Sequence, residues 1–406
     1  MTSMPCHRGL PLDPLAELRT PTDPEFDVYL TGTVFLDIIF TGLDRAPVRG
    51  TETWARGMGS SPGGIANTAT AFSRLGLRTA LAAAFGDDKY GDYCWEALSE
   101  DEGIDLSRSR RIPGWHTPVT VSMAYEGERT MVTHGHPAPL ACGVGGLGGA
   151  GGGADEVGAG QGGVAGQAEA PGEPGTPGEP GGPPSARACV ATFTPGQRQD
   201  WLATAHARGS RIHADVGWDD TGRWDLAELP DLQHCEAFLP NAAEAMHYTR
   251  TESPEAAARA LAELVPVAVV TMGQDGAVAA DSGSGQLIRV PALQVEALDP
   301  TGAGDVFIVG FTTASLAGRP LADAVAFGCL TAALSVQEFG GALAAPGWIE
   351  IAAWWHHVKR YDDQAASSAR EDTLSRYAFL DDLLPATVRP WPLRRAMPTL
   401  GFRAER

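Results

Sequence analysis

The residues best suited to chemistry lie in one glycine-rich stretch, Asp299-Pro-Thr-Gly-Ala-Gly-Asp305, which an apolar run follows. Gly302 and Gly304 allow a tight backbone turn, and the apolar run predicts a helix that begins there. The N–H groups at a helix start attract anions. A carboxylate beside an anion site indicates phosphoryl transfer, in which Asp305 orients or deprotonates the acceptor. For this motif taken alone, a solvated turn with a helix cap remains the alternative.

Further polar residues lie in or after apolar strands. Asp37 lies within one such strand, and Asp215, Asn241 and Thr271 lie at or after the ends of others. Ligands of open parallel sheets bind beyond the carboxyl ends of the strands, so these side chains are expected at one edge. Taken alone, Asp37 is either a hydrogen-bonded structural carboxylate or one that faces a ligand. Asn241 and Glu244, spaced as Asn-x-x-Glu, would alone indicate a helix capping box.

Strands and helices alternate along most of the chain. The predicted strands are residues 26–40, 79–85, 211–216, 236–239, 265–271 and 286–290, and the predicted helices are 68–75, 254–264, 306–317 and 321–336. This order predicts an α/β fold whose central, mostly parallel sheet has helices on both faces. A hairpin that turns at residues 126–128 is also predicted. The segments 40–57 and 112–133 would form a small β lid.

One domain, residues 26–350, accounts for this alternation. The proline-rich residues 1–25 predict an extended arm. The Gly/Ala/Pro tract 141–185 predicts a disordered insertion within the domain, because it has too little apolar bulk to fold. Residues 351–406 predict a helix followed by a tail.

Composition excludes several classes of protein. The net charge of -20 and a pI near 4.8 argue against nucleic acid and anionic membranes as partners. The six cysteines are scattered and include no Cys-x-x-Cys pair, which indicates neither a cysteine zinc site nor a disulfide framework. No segment has the pattern of a signal peptide or of a membrane span. A cytoplasmic protein is therefore expected.

The ordered series of motifs resembles the ribokinase-like (PfkB) family of carbohydrate kinases, which also includes nucleoside kinases. The resemblance extends from about Asp27 to Gly341 without the insertion. Asp299-Pro-Thr-Gly-Ala-Gly-Asp305 is similar to the C-terminal signature of the family, and Gly63-Gly64-x-x-Asn67 to its N-terminal signature. The resemblance implies ATP-dependent phosphorylation of a hydroxyl of a small sugar, with a nucleoside as the alternative acceptor. Magnesium is the implied cofactor, and a homodimer through the lid is a further expectation.

The resemblance also implies a role for each matching residue. Asp305 would be the catalytic base, and the amides of Gly302, Ala303 and Gly304 would form the anion hole. The other implied roles are sugar binding by Asp37, Gly63, Gly64 and Asn67, nucleotide binding by Thr271, Gly273 and Gly276, magnesium binding through water by Asn241 and Glu244, and binding of a monovalent cation such as potassium near Asp299 and Thr301. Asp215-Val-Gly217 stands where many sugar kinases of the family have Asp-x-Asn, which weighs against a close assignment to fructokinase.

Two other classes of function compete with a kinase. Gly59-Ser-Ser61-Pro-Gly63 satisfies the Gly-x-Ser-x-Gly pattern of a serine hydrolase. In that fold the helix begins at the serine, whereas Pro62 and the two glycines after it place the helix start later in this chain. A catalytically silent binding protein that uses the insertion as an interaction arm is the third class, and the intact Asp305 argues against it.

Overall fold

The structure is a computed structural model, and it describes residues 19–20, 22–125, 128–136, 183–338, 340–360 and 367–384. Most of the predicted N-terminal arm, nearly all of the predicted insertion, the hairpin turn at 126–127 and the end of the tail lie outside these residues. The strands of the described residues are β1 (Phe26–Thr31), β2 (Val34–Leu43), β3 (Gly57–Gly64), β4 (Thr79–Ala82), β5 (Ala84–Gly86), β6 (Arg110–Ile112), β7 (Val119–Tyr125), β8 (Glu128–His134), β9 (Ala186–Phe193), β10 (Arg211–Val216), β11 (Ala237–Phe238), β12 (Val267–Thr271), β13 (Ala277–Asp281) and β14 (Leu287–Val290).

The helices pack around these strands. They are α1 (Ile65–Arg74), α2 (Lys89–Glu96), α3 (Asp200–Ala207), α4 (Ala242–Thr249), α5 (Pro254–Leu261), α6 (Ala303–Leu316), α7 (Leu321–Ser335), α8 (Trp348–Arg360), α9 (Ser367–Arg376) and α10 (Leu380–Leu383). None of the helices in the described part of the chain is both long and apolar enough to cross a membrane.

The main sheet has eight strands in the order β14-β13-β12-β11-β10-β9-β1-β4. The strands from β12 to β4 are parallel, whereas β13 and β14 are antiparallel to their neighbours. Alternate residues of β1 point to opposite faces, so Val28 and Leu30 join the core beneath α1, α6 and α7, and Tyr29 joins the core beneath α3, α4 and α5. The predicted α/β class and the mostly parallel sheet are confirmed.

A second sheet of four strands, in the order β3-β2-β7-β8, corresponds to the predicted lid. The predicted hairpin is present as the antiparallel pair β7 and β8. The expectation for residues 40–57 was wrong in part, because residues 44–56 form no strand and the lid instead uses β2 and β3. Met131 and Val132 are exposed on the outer strand β8. A homodimer through this sheet stays a prediction.

The predicted strand 26–40 is two strands in different sheets. The chain leaves the main sheet after Thr31 and enters the lid at Val34. Gly32 allows this change of direction, since a Cβ there would lie 2.9 Å from Cβ of Ile65. The predicted strand 79–85 also divides, because β4 continues the main sheet and β5 pairs with β6.

Two strands of the main sheet were missed from the sequence. The strand β9 lies between β1 and β10 and is parallel to both. It follows the glycine-rich tract directly, and its alternation of small residues resembles that tract more than a β-branched strand. The strand β13 begins directly after the turn ending at Gly276, where no strand was predicted.

The C-terminal region packs on the main domain. The helix α8 crosses the domain boundary expected at residue 350, and its Trp355 side chain is 2% exposed. Nε1 of Trp348 donates a hydrogen bond to the carbonyl of Leu75 (3.0 Å), and Nε1 of Trp355 donates to a carboxylate oxygen of Asp381 (2.7 Å). The C-terminal region is therefore part of the hydrophobic core of the main domain.

A buried carboxylate, Asp27, lies near the start of β1 at the amino edge of the sheet. Nε of Arg19 donates to Asp27 Oδ1 (3.1 Å), and the backbone N–H of Arg78 donates to Oδ2 (2.8 Å). Nη1 of Arg187 lies 4.0 Å from Oδ1 of Asp27. Burial alone would raise the pKa of Asp27, but the hydrogen bonds from Arg19 and Arg78 together hold it below its ordinary value.

Candidate active site

The predicted anion hole is the start of helix α6. Gly302 is its N-cap residue, with a φ of 75° in the left-handed region that favours glycine. No side chain caps this helix end. The N–H of Ala303 donates to the carbonyl of Pro300 (3.2 Å). Gly304 is exposed, and a Cβ at this position would meet no other atom within 4 Å. The helix start thus faces open space, where the positive end of the helix dipole favours an anion. The anion-hole role of Gly302, Ala303 and Gly304 stays a prediction.

The side chain of Asp305 is held by the first turn of helix α1. Nδ2 of Asn67 donates a hydrogen bond to Oδ2 of Asp305 (2.9 Å), and Oγ1 of Thr68 donates to Oδ1 (3.3 Å). Both donors are neutral, so they fix the orientation of the carboxylate without neutralising it with a positive charge. Sequence reasoning missed Thr68, although it directly follows the predicted residue Asn67. No local pattern shows that residues 237 positions apart meet.

The predicted acceptor residues converge next to this pair. Asp37 lies in β2 and is 7% exposed. A Cβ at Gly63 would lie 2.0 Å from Oδ2 of Asp37, so only glycine lets the carboxylate pack against this backbone. Gly64 has a φ of 63° and joins β3 directly to α1. Both glycines end strand β3, which brings Asn67 to the edge of the second sheet.

Asp299 ties the anion-hole loop to a second loop. Its Oδ1 accepts a hydrogen bond from the N–H of Thr301 (2.9 Å), and its Oδ2 accepts one from the N–H of Gly340 (3.2 Å). Gly341 packs on Asn67, since a Cβ there would lie 2.9 Å from Oδ1 of that residue. Each oxygen of the Asp299 carboxylate keeps a further lone pair, so these two bonds do not decide the potassium site predicted near Asp299 and Thr301. It stays a prediction.

The predicted nucleotide turn opens into an apolar cavity. Gly276 has a φ of 92°, and a Cβ there would lie 2.0 Å from the carbonyl oxygen of Val290. A cavity of about 330 Å³ joins this turn to the start of α6. Its lining includes Thr271, Gly273, Gly276, Leu293, Ala303, Gly304, Phe307 and Val336. The predicted nucleotide residues and the predicted anion hole therefore border one space.

Asn241 and Glu244 form the capping box of helix α4. The Asn241 side chain accepts from the N–H of Glu244, the Glu244 carboxylate accepts from the N–H of Asn241, and both bonds are 3.0 Å long. Burial raises the pKa of Glu244. At the nearby end of β10, burial and then the charges of Glu244 and Asp305 raise the pKa of Asp215 well above its ordinary value. Three carboxylates therefore share one region.

This carboxylate group fits a magnesium ion. Mg²⁺ prefers oxygen ligands, and it commonly binds through one or two carboxylates together with waters and phosphate oxygens. A divalent cation would also relieve the mutual repulsion that raises the pKa of Asp215. In the sequence, Asp215 was noted as a strand-end residue and as the start of Asp215-Val-Gly217, without a metal-binding role. The effect of the Glu244 and Asp305 charges on it makes it a candidate ligand.

The serine-hydrolase pattern does not form a nucleophile elbow. Ser61 is fully buried within strand β3, and its Oγ donates to the carbonyl of Pro62 (3.0 Å). A nucleophile elbow requires the serine at an exposed turn from a strand to a helix. The structure thus removes the feature on which the hydrolase alternative depended.

Comparisons with known proteins agree with this geometry. The family model described as pfkB family carbohydrate kinase matches residues 32–139 and 195–347, more than half of the chain. A nucleoside kinase of Methanothermobacter thermautotrophicus is 27% identical over 318 residues, which are 77% of this chain and 90% of that protein. A ribokinase of Schizosaccharomyces pombe is 33% identical over 129 residues, which are 30% of this chain and 40% of that protein.

Solved structures show the same fold. The ribokinase of Arabidopsis thaliana, complexed with ribose and ATP, superimposes with a TM-score of 0.58 at 20% identity, covering 82% of this chain and 98% of that one. The family match covers both the lid segments and the helix start that carries Asp305, and the eight-stranded sheet places them together. The chain therefore belongs to the pfkB family of carbohydrate kinases.

Proposed function

We propose that this kinase transfers the γ-phosphoryl group of ATP to a hydroxyl of a small sugar. The observation that carries the proposal is the position of the Asn67 side chain. Its Nδ2 orients Asp305, while its Oδ1 is buried without a hydrogen-bond partner among the described residues. An unpaired buried acceptor is costly unless a ligand supplies the donor, and a sugar hydroxyl is such a donor.

The proposed reaction needs a base and an anion site on opposite sides of one acceptor oxygen. Asp305 accepts the proton of the attacking hydroxyl, in the orientation that Asn67 and Thr68 hold. The amides at the start of α6 stabilise the negative charge on the transferring phosphoryl group. The missing side chain of Gly304 leaves room for that group to approach the backbone.

The nucleotide is proposed to bind along the apolar cavity. Its volume of about 330 Å³ and its lining by Leu293, Phe307 and Val336 suit a flat base such as adenine. Thr271, Gly273 and Gly276 would contact the nucleotide from the turn that borders this cavity. The phosphates would then extend from the cavity to Gly304, which also lines it.

Magnesium is proposed to bind beside the phosphates. Asp215, Asn241 and Glu244 would hold it, directly or through water, because Asn241 and Glu244 are hydrogen-bonded to each other and the charge of Glu244 acts on Asp215. When bound, the ion supplies positive charge that neutralises the phosphate oxygens.

A nucleoside is the second candidate acceptor. The nucleoside kinase of Methanothermobacter thermautotrophicus is similar to this chain over 77% of its length, and the ribose ring of a nucleoside presents hydroxyls like those of a free sugar. Asp37, Gly63, Gly64 and Asn67 would bind the ring in either case. A silent binding protein is disfavoured, since such a protein would need no carboxylate oriented by two donors beside an open helix start.

A screen of ATP consumption over sugars and nucleosides tests the proposal. We expect magnesium-dependent ADP formation with a small sugar, and formation of the corresponding sugar phosphate confirmed by mass spectrometry. Turnover with nucleosides alone would establish the second candidate. The absence of ADP formation with every member of both classes, from protein that is folded by circular dichroism, would contradict the proposed function.

A further inference from the structure

Three histidines meet at the base of the lid. His116 precedes strand β7, His134 ends strand β8, and His136 lies two residues further along. Their ring centroids are 5.2 Å apart for His116 and His134, 4.9 Å for His116 and His136, and 5.3 Å for His134 and His136. One ring nitrogen of each lies within 4.8 Å of those of the other two. The cluster plays no part in the proposed phosphoryl transfer.

The backbone holds the three positions together independently of the imidazole rings. Val119 and His134 are paired across the β7–β8 ladder. Nε1 of Trp115 donates a hydrogen bond to the carbonyl of His136 (3.3 Å). Gly135 packs on the residue directly before β7, since a Cβ there would lie 2.8 Å from Cβ of Pro118. The convergence of the histidines is therefore fixed by the fold on both strands of the hairpin.

The hydrogen bond of His116 prepares its other nitrogen to bind a metal. Nδ1 of His116 lies 3.2 Å from the carbonyl oxygen of Thr117, which can only accept, so Nδ1 carries the proton. In the neutral ring this leaves the lone pair on Nε2. A hydrogen bond from the second nitrogen to a carbonyl is the arrangement that orients histidine ligands of metals. The Thr117 backbone is itself anchored, because its N–H donates to Asp88 (2.9 Å).

The remaining two rings can complete the site by small rotations. A tetrahedral zinc ion has Zn–N distances near 2.0–2.1 Å, which puts two nitrogen ligands about 3.3 Å apart. The side chains of His134 and His136 are exposed and free to close this gap from the present separation. Imidazole is a borderline ligand that selects zinc and similar transition ions over magnesium.

We propose that His116, His134 and His136 bind one divalent transition-metal ion of the zinc class. The ion joins the segment that enters the lid hairpin to the segment that leaves it, and its fourth position stays open to water or to a ligand. The scattered cysteines gave no indication of a zinc site. In the sequence, the site corresponds to the pattern His134-x-His136, and the pairing of β7 with β8 brings the third ligand, His116, to it. This site shares no residue with the proposed magnesium site, and its donors are nitrogens instead of oxygens.

Titration of the metal-free full-length chain with Zn²⁺ tests the proposal. With Mg²⁺ in large excess, calorimetry should show one equivalent of tightly bound zinc. His134→Ala and His136→Ala should each weaken the affinity at least about tenfold, because each removes one of three ligands. Both side chains are exposed, so the variants should fold, which circular dichroism checks. His206→Ala, which changes an exposed histidine on α3, is the matched control and should bind zinc normally.

Cobalt provides a second readout that does not depend on calorimetry. Co²⁺ bound to the histidine cluster should give visible absorption that Zn²⁺ displaces, and this absorption should be lost in His134→Ala and kept in His206→Ala. Zinc binding that is equal in the wild type and in both cluster variants would overturn the proposal. So would the absence of a bound equivalent in the wild type.

Discussion

The central sheet has an important aspartate at each edge, and the two have opposite surroundings. At the amino edge, Asp27 is enclosed by Arg19, Arg78 and Arg187, and hydrogen bonds hold its pKa below the ordinary value despite burial. At the carboxyl edge, burial raises the pKa of Asp215 and the neighbouring carboxylates raise it further. The fold neutralises charge at one edge and concentrates it at the other. Charge that the fold does not neutralise is available to ligands.

The largest effect is expected at the carboxyl edge, from Asp305→Asn. The amide cannot accept the proton of the acceptor hydroxyl, so kcat should fall by at least about a hundredfold, the low end of general-base effects. The affinity for ATP, measured by calorimetry, should be little changed. Asp372→Asn, on the exposed surface of α9, is the matched control and should keep full activity. An Asp305→Asn variant that retains more than about a hundredth of the wild-type rate would exclude the role of base.

The next largest effect is expected at the amino edge, from Asp27→Asn. This change leaves the surrounding guanidinium groups without their common anion, and breaking a buried ion pair in this way costs about 3 kcal/mol in the free energy of unfolding. Urea denaturation measures this loss. The kcat of the folded variant should match that of the wild type, since Asp27 lies at the opposite edge from the site. A loss of kcat without a loss of stability would contradict the comparison.

The pH dependence of stability should have opposite signs at the two edges. The pKa of Asp27 is lower in the folded state than in the unfolded state. Asp27 therefore contributes fully to the free energy of unfolding when the pH is above its unfolded-state pKa, and this contribution is lost as the pH falls through its folded-state pKa. The raised pKa values of Asp215 and Glu244 mean that the folded state binds extra protons, so stability falls as the pH rises above their ordinary values of 3.8 and 4.5.

Urea denaturation of magnesium-free protein, repeated from acid to neutral pH, checks these signs. Asp27→Asn should have a lower free energy of unfolding than the wild type, and this difference should become smaller at acid pH. The free energy of unfolding of Asp215→Asn should increase relative to that of the wild type as the pH rises to neutral. Parallel curves for the wild type and both variants would contradict the assigned pKa directions.

The smallest effect is expected from Thr68→Val. The valine has nearly the same shape but cannot donate the 3.3 Å hydrogen bond to Asp305. Without this bond the carboxylate is less well oriented, and a loss of about 1 kcal/mol of transition-state stabilisation would lower kcat roughly fivefold, with KM for ATP unchanged. Thr70→Val changes a neighbouring buried threonine of α1 whose Oγ1 has no hydrogen-bond partner among the described residues, and it serves as the control. Equal effects of both changes would assign Thr68 a packing role instead.

The parts of this arrangement that are local in sequence could be predicted. The stretch from Asp299 to Asp305 predicted a helix start with an adjacent carboxylate, because glycine positions and an apolar run suffice for that inference. The capping box of Asn241 and Glu244 was recognisable for the same reason. The order of strands and helices also indicated that these residues meet at one sheet edge.

The parts that depend on contacts between distant residues could not be predicted. Thr68 donates to a residue far along the chain, and Asp215 became a candidate ligand only once Glu244 and Asp305 lay beside it. The division of residues 26–40 between two sheets was also missed, since alternation shows a strand but not the sheet to which it belongs. The strand β9 was missed because the sheet, more than its own residues, specifies it.

The claim that the carboxyl edge is organised for phosphoryl transfer instead of stability has a direct test. The same aspartate-to-asparagine change is made at each edge, and the free energy of unfolding and kcat are measured for both variants at neutral pH. Asp27→Asn should lose stability and keep kcat, whereas Asp215→Asn should keep or gain stability and lose kcat. If Asp215→Asn is destabilised as much as Asp27→Asn and keeps its kcat, the claim is contradicted.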